Sequence, residues 1–295
     1  MIPRQEHQQE VHAFLKKYLS IYDWRFSLPQ GSGMETYLAH GFKRSYFVKV
    51  GVQVERYLTL AELGLTPPVI LQGHLEGGVS VIVQLFVEGK KPTRLDYRER
   101  LTEVAELVNK MYHHPRILDG LPSAPSNLYQ EAGLRAWEQL LSKWEDYKGL
   151  VPVTAKFVDD RLEEINRQIQ YFSSEGLVAS HGDICNANWL FASDGRVYIV
   201  DLESMCMDDP AADMGALLWW YYPPELREQF LNLAGYSYNE EFKHRMRIRM
   251  AMHCLHIILP RENSFDTFEP ESFEDSLQDF RAIMNGKENP QGYDL

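Results

Sequence analysis

Cysteine is scarce: Cys185, Cys206 and Cys254 are the three in 295 residues, and no two form a CxxC pair. A disulfide scaffold and a thiolate zinc centre are not expected, and a reducing compartment fits. Long apolar runs are missing. The longest, residues 79–87 and 253–260, fall far short of the ~20 residues of a membrane helix. Basic residues are outnumbered, 30 Lys and Arg against 42 Asp and Glu, which gives −12 with neutral histidines. Non-specific nucleic-acid binding needs a basic face to displace counterions, so no nucleic-acid partner is expected. Residues 1–17 carry both charge signs and no apolar core, so no secretory leader is read there and a cytoplasmic location is expected. No repeat of fixed period and no low-complexity tract interrupts the chain.

What remains has a globular balance, 44% apolar and 24% charged, and a length that suits one or two domains. The two ends of the chain read differently. Residues 8–19 space Val11, Phe14, Leu15 and Leu19 as an amphipathic helix. Short β-like runs follow at 22–28, 35–39 and 45–50, separated by Gln30-Gly31-Ser32-Gly33 and His40-Gly41-Phe42-Lys43 turns. A helix over 54–63 and strands over 68–71 and 79–86 complete a small antiparallel sheet with one helix. From residue 88 the pattern is mainly helical, with helices predicted over 95–112, 129–147, 155–172, 211–220, 224–234, 240–258 and 272–284. A loop-and-strand region, 178–201, interrupts them, and 286–295 reads as a frayed end. The expectation is an α+β chain of two lobes, 1–87 and 88–295.

The chemistry concentrates in His181-Gly182-Asp183-Ile184-Cys185-Asn186-Ala187-Asn188. A turn at Ser193-Asp194-Gly195 then returns the chain to Val200-Asp201-Leu202-Glu203. Asp183, Asn188 and Asp201 are hard oxygen ligands suited to Mg²⁺, with a carboxylate to spare. Phosphoryl transfer from a nucleotide needs this set: one carboxylate to orient the acceptor hydroxyl, and an amide and a carboxylate to hold metal against phosphates. The spacing H-x-D-x-x-x-x-N followed by an Asp after a hairpin is that of a kinase catalytic loop. The upstream residues fit the same requirement. Gly31, Ser32 and Gly33 supply a flexible turn for phosphates, and Lys49 stands between apolar residues in mid-strand, where it needs an anionic partner. Glu55 or Glu62 on the next helix could be that partner.

With these motifs the chain resembles the aminoglycoside phosphotransferase and choline kinase superfamily, small-molecule kinases of the protein-kinase-like fold. The resemblance covers the order of elements over most of the chain, with His181-Gly182-Asp183…Asn188, Val200-Asp201-Leu202-Glu203 and Asp209-Pro210-Ala211-Ala212-Asp213 as its specific motifs. It implies ATP and Mg²⁺ as cofactors, Asp183 as the catalytic base, and Asn188 and Asp201 as metal ligands. It implies Lys49 on the α/β-phosphates and a hinge at 84–88, with Leu85 and Val87, taking adenine through backbone groups. Asp213 would brace the catalytic loop. Gly182 stands where protein kinases carry an Arg that reads a phosphorylated activation loop. The segment between Glu203 and Ala211 is too short for a peptide-docking loop, so a small-molecule alcohol is expected as the acceptor rather than a protein. The D-x-E form resembles choline and thiamine kinases and suggests an amino alcohol such as choline or ethanolamine, with an aminoglycoside or thiamine as alternatives. A catalytically inactive nucleotide-binding protein of the same fold is the alternative from another class.

Four aromatics follow the metal-binding segment. Trp219, Trp220 and Tyr222 could form a cation–π site for a quaternary ammonium, with charge from Glu203 and Asp208, or they could pack the core. Asp209-Pro210 reads as a helix N-cap with proline at the first position. Cys185 with His181 could be read as a thiol nucleophile and base, but the kinase-like loop uses that His for packing and hydrogen bonding. His253 and His256 lack the Glu of HExxH and read as packed histidines.

Overall fold

Alternating apolar residues and tight turns make the first part of the chain a sheet. The computed structural model describes residues 6–19, 23–28, 35–260 and 268–287. Helix α1 (Gln8–Leu19) leads to strands β1 (Arg25–Ser27), β2 (Thr36–His40) and β3 (Ser45–Val50). Helix α2 (Val54–Glu62) is followed by β4 (Val69–His74), β5 (Ser80–Leu85) and the short β6 (Gly89–Lys90). Then come α3 (Arg94–Glu99), α4 (Leu101–His113), α5 (Pro115–Asp119), α6 (Tyr129–Tyr147) and α7 (Pro152–Ile169). Strands β7 (Val178–Ser180), β8 (Trp189–Ala192), β9 (Val197–Ile199) and β10 (Cys206–Asp208) precede α8 (Pro210–Tyr221), α9 (Pro224–Leu233), α10 (Glu240–Ile258), α11 (Pro270–Ser276) and α12 (Gln278–Met284). The α+β expectation holds.

The chain divides into two compact units. One comprises Met1–Lys91 and Asn188–Glu203, the other Pro92–Ala187 and Ser204–Leu295. The sequence reading divides the chain at 87/88 and leaves 188–203 in the second part. In the structure β8 pairs with β6, Gly89 opposite Ala192, so the β8–β9 hairpin is continuous with the first unit.

In the first unit five antiparallel strands run in the order β1-β2-β3-β5-β4. Alternation puts Val48 and Val50 on one face of β3 and Lys49 on the other. On the valine face, Val11, Phe14 and Leu15 of α1 join Tyr37, Val81 and Val83 in one core. Gly73 makes room for this: a Cβ there would lie 2.8 Å from the Phe14 ring. In the second unit α8 is apolar around most of its circumference and is buried on nearly all sides, and it packs on α10, which buries Met246, Met250 and Leu255 together with Arg245 and Arg249. They pack closely at Gly215, where a Cβ would lie 3.1 Å from the Met246 carbonyl oxygen. No helix among the described residues is long and apolar enough to cross a membrane.

Several elements depart from expectation. The helix predicted over 95–112 is two helices, turned at Arg100 with φ −112° and ψ 26°. The helix predicted over 272–284 is likewise interrupted at Leu277. The apolar spacing runs through both breaks and hides them. The helix predicted from 155 begins at Pro152, which fills the first position. Strands β6 and β10 are too short to carry a period. The expectation at Gly31, Ser32 and Gly33, and that for 288–295, lie outside the described residues.

One buried carboxylate ties α1's leading turn to β2. The His7 amide donates to Glu35 Oε1 at 2.8 Å, and His7 Nδ1 lies 2.7 Å from Oε2. The Tyr37 hydroxyl donates to the same carboxylate. The hydrogen bond to Glu35 raises the His7 pKa from 6.5. Burial pushes Glu35 up, but the bonds from Tyr37 and His7 outweigh it and its pKa is lowered from 4.5. A raised histidine stabilises the fold below its unfolded pKa and loses that contribution as pH rises through the folded value. A lowered carboxylate stabilises above its unfolded pKa and loses that contribution as pH falls through the folded value. The pair is therefore worth most between pH 4.5 and 6.5. Urea melts of His7→Gln should show a deficit against wild type at about pH 5.5 that shrinks by about pH 8.5. A deficit independent of pH would refute the ion pair.

Candidate active site

Lys49 is 8% exposed and sits in mid-β3, opposite Thr36 on β2 and Ile82 on β5, both buried. A buried ammonium needs anionic partners. It donates to Asp201 Oδ1 at 3.1 Å and to Glu203 Oε1 at 3.4 Å, and lies 5.3 Å from the Tyr57 ring centre. Helix α2 builds the rest of this cluster. Tyr57 donates its hydroxyl to Glu203 Oε1 at 2.6 Å, and Arg56 donates to the carbonyls of Leu202 at 2.7 Å and Glu203 at 3.1 Å. The predicted Lys49–Glu55 pair is not what the structure forms. The phase of α2 buries Arg56, Tyr57 and Leu60, and leaves Glu55 and Glu62 exposed. Glu203 takes the place expected of Glu55, and it does so beside the lysine rather than in an acceptor pocket. Arg56 and Tyr57 were missed; an Arg-Tyr pair on the inward stripe of α2 was the available signal.

Asp201 has φ 62°, the one positive φ at a non-glycine among the described residues. Such a backbone costs energy and is held by its surroundings. Here Lys49 holds the side chain and Tyr57 accepts the Leu202 amide at 3.3 Å. Asn188 is buried at the end of a 3₁₀ turn, Asn186–Asn188, and its carbonyl accepts the Val200 amide at 2.9 Å. That bond fixes Asn188 beside the residue preceding Asp201. Leu85 and Val87 follow β5: the Leu85 amide is taken by the Pro68 carbonyl at 3.0 Å, while the Val87 amide makes no hydrogen bond among the described residues. Asn188 and Asp201 offer hard oxygens, and Glu203 Oε2 is buried without a hydrogen-bond partner. This donor set fits Mg²⁺. No group of three or more His, Cys, Asp or Glu able to hold a metal occurs among the described residues.

In the second unit the catalytic-loop motif hangs from one carboxylate. Asp213, 3% exposed on α8, accepts the His181 amide at 2.7 Å, the Gly182 amide at 3.1 Å and the Tyr112 hydroxyl at 3.1 Å. This is the brace expected of Asp213, with Tyr112 as a partner that no motif announces. His181 is fully buried, and its Nδ1 accepts the Asp183 amide at 3.2 Å. The Asn186 amide is bonded by the Tyr221 hydroxyl at 3.0 Å, and Tyr221 stacks on Tyr97. Gly182 has φ 77°, and a Cβ there would lie 2.5 Å from the Ser204 carbonyl oxygen. No arginine fits at this position. Asp183, between these fixed points, is partly exposed.

Two consecutive carboxylates lock the end of β10 to α10. Asp209 caps α8 through the Ala211 amide at 2.9 Å and takes Arg245 Nε at 3.0 Å. Asp208 accepts its neighbour's amide, at 2.8 Å, and a bond from Arg249, one turn beyond Arg245. The predicted acceptor role of Asp208 thus meets a carboxylate already paired with arginine. Trp219 and Tyr222 are 2% and 0% exposed, in the core, and Trp220 packs on His253 at 5.2 Å. Continuing the apolar face of α8 sets these aromatics inward, so they form no open cage.

A lysine-bearing five-stranded sheet unit, a helical unit with a braced H-x-D loop, and an Asp held after a hairpin define a kinase-like fold. The profile of the phosphotransferase enzyme family matches residues 32–247, and the chain belongs to that family. Its fold is similar to that of a choline/ethanolamine kinase family protein from Mesorhizobium loti, at TM-score 0.65 and 17% identity over 94% of both chains. It is also similar to aminoglycoside 2'-phosphotransferase-IIIa in a GDP complex, at TM-score 0.63 and 13% identity over 96% of this chain and 99% of that one. Choline kinase LicA from Streptococcus pneumoniae matches at TM-score 0.58 and 15% identity, over 95% of this chain and 99% of that one. Identities this low speak for the fold alone.

Gly182 and Gly195 both have positive φ, but a Cβ at Gly195 meets nothing within 4 Å. Gly195→Ala should cost about 1 kcal/mol, while Gly182→Ala adds the collision with Ser204 and should cost about 2–3 kcal/mol. Urea denaturation measures both; equal costs would show that the loop yields at Ser204.

Proposed function

We propose that the chain is an ATP- and Mg²⁺-dependent phosphotransferase whose acceptor is the hydroxyl of a small molecule. The observation that carries this reading is Lys49, a buried strand lysine bonded to Asp201 and Glu203. A cation so placed is suited to the α- and β-phosphates of a nucleotide, with Asp201 and Asn188 as ligands of the ion that accompanies them. Nucleotides in solved structures of similar fold, GDP in the aminoglycoside 2'-phosphotransferase complex, are consistent with it. Val87 would supply an unused backbone donor for the base.

The chemistry asked of the protein is positioning and charge. The bond from the γ-phosphorus to the β,γ-bridging oxygen breaks, and a bond from that phosphorus to the acceptor oxygen forms. The acceptor hydroxyl donates a hydrogen bond to Asp183 and gives up its proton there late, since the transition state is loose. Asp213 holds Asp183 in place through the loop backbone. Bound Mg²⁺ supplies charge neutralisation on the phosphate oxygens. Trp219 and Tyr222 lie in the core, so the choline or ethanolamine expectation loses its aromatic cage, and the acceptor's chemistry must be read from other residues.

Asp183→Asn should lower acceptor-dependent ADP release by about 10³-fold, within the range for removal of a general base. Its affinity for Mg-ATP should stay near wild type, by calorimetry. Asp201→Asn and Asn188→Ala should weaken Mg-ATP binding itself. Equal loss of nucleotide affinity in Asp183→Asn would remove Asp183 from the role of base.

A further inference from the structure

A cavity of 280 Å³ opens within the helical unit, against the catalytic loop. Gly182 and Ile184, the residues on either side of Asp183, line one wall, and Asp208, Arg249, His253 and His256 line others. At about 30 Å³ for each water it displaces, the cavity is roughly nine waters in size, which leaves room for a short-chain alcohol.

The charges on its wall are unevenly committed. Asp213, which also lines it, has both oxygens engaged by the His181 and Gly182 amides and by Tyr112. Asp208 has one oxygen on the Asp209 amide and the other on Arg249. Neither is placed to hold an ammonium group. Arg249 is the opposite case. Its side chain is 6% exposed, and it donates to Asp208 and to the Ala132 carbonyl at 3.3 Å. A guanidinium has five N–H donors. Two are used, and three have no acceptor among the described residues. Buried donors left unbonded are costly, and a guanidinium fork matches a carboxylate in two parallel bonds. Asp208 offsets the guanidinium's charge, so the wall offers hydrogen-bond donors rather than net positive charge, which suits a monoanion better than a phosphate dianion.

Resting on the kinase reading of the same site, we propose that the acceptor is a small hydroxy acid or hydroxy amino acid. Its carboxylate is bound by Arg249, with His253 and His256 beside it, and its hydroxyl is turned to Asp183. The transferred γ-phosphoryl group of ATP ends on that hydroxyl oxygen, the proton passes to Asp183, and ADP leaves. The carboxylate is unchanged by the reaction.

The test pairs alcohols that differ in the carboxylate: L-homoserine with 3-aminopropanol, L-serine with ethanolamine, and D-glycerate with glycerol, plus choline. Saturation-transfer NMR on the full chain reads binding without nucleotide, and ADP release reads turnover. At least one acid should bind and react at least about tenfold better than its partner, the worth of one charge-assisted hydrogen bond. Arg249→Gln should lose that preference with ATP affinity unchanged. The double variant Asp208→Asn/Arg249→Gln, which removes both charges of the pair together, should do the same and guards against misfolding of the single variant. Acid binding that depends on Arg249 but no ADP release with any alcohol would uphold the carboxylate site and overturn the kinase reading. Turnover of choline or 3-aminopropanol ahead of the acids would do the reverse. No response to any acid, or equal response within each pair, overturns the proposal.

Discussion

A lysine ammonium buried in the middle of a sheet is the constraint from which the first unit follows. Lys49 shares β3 with Val48 and Val50, whose face is filled by α1, so its own face must supply negative charge. Nothing on the neighbouring strands does: its partners there are Thr36 and Ile82. The charge comes instead from Asp201 and Glu203, about 150 positions downstream. The sheet unit is therefore incomplete until the β8–β9 hairpin arrives, and Arg56 and Tyr57 are spent holding that hairpin's end in place. The unusual backbone of Asp201 is the local cost of aiming a carboxylate at this lysine from the far side of a hairpin.

The helical unit solves a related problem with the opposite sign. The loop carrying Asp183 has backbone amides with no strand or helix to bond them, and buried amides need acceptors. Asp213 provides both of its oxygens from a helix, with Tyr112 as a third donor. Three hydrogen bonds to one buried carboxylate make the loop's geometry depend on α8 and α4 rather than on its own sequence. Gly182 then permits the left-handed turn beneath Ser204 that this anchoring demands.

What could be read from sequence divides along physical lines. Asp183, Asn188 and Asp201 are singled out by their spacing along a loop and a hairpin, and Lys49 by its charge between apolar residues in mid-strand. The helix phase of α2 does not. Over nine residues either Glu55 or Tyr57 can be turned inward, and the packing of Tyr57 and Leu60 decides for the latter. The aromatic run from Trp219 to Tyr222 was ambiguous because a helix apolar on all sides has no stripe to show which residues face a ligand. The pairing of Asp208 and Asp209 with Arg249 and Arg245 was unreadable for another reason. Each side is a short local signal, and only the fold brings a strand end and a helix turn 36 and 41 residues away into register.

The acidity of the chain takes on a different meaning once its carboxylates are followed to their partners. A net charge of −12 invites the inference of a cationic ligand. Near the functional segments the carboxylates are committed: Asp201 and Glu203 to Lys49, Asp208 to Arg249, Asp209 to Arg245, and Asp213 to loop amides. A paired carboxylate presents little net field to a third charge at close range, because its arginine or lysine cancels it. The acidic excess therefore lies mostly on the solvated surface, where a Debye length near 8 Å screens it. Net charge governs solubility and long-range encounter, whereas acceptor choice is set within a few ångströms. At that range the least satisfied ionic group on the cavity wall is a cation, Arg249, in a protein whose overall charge would have suggested the reverse.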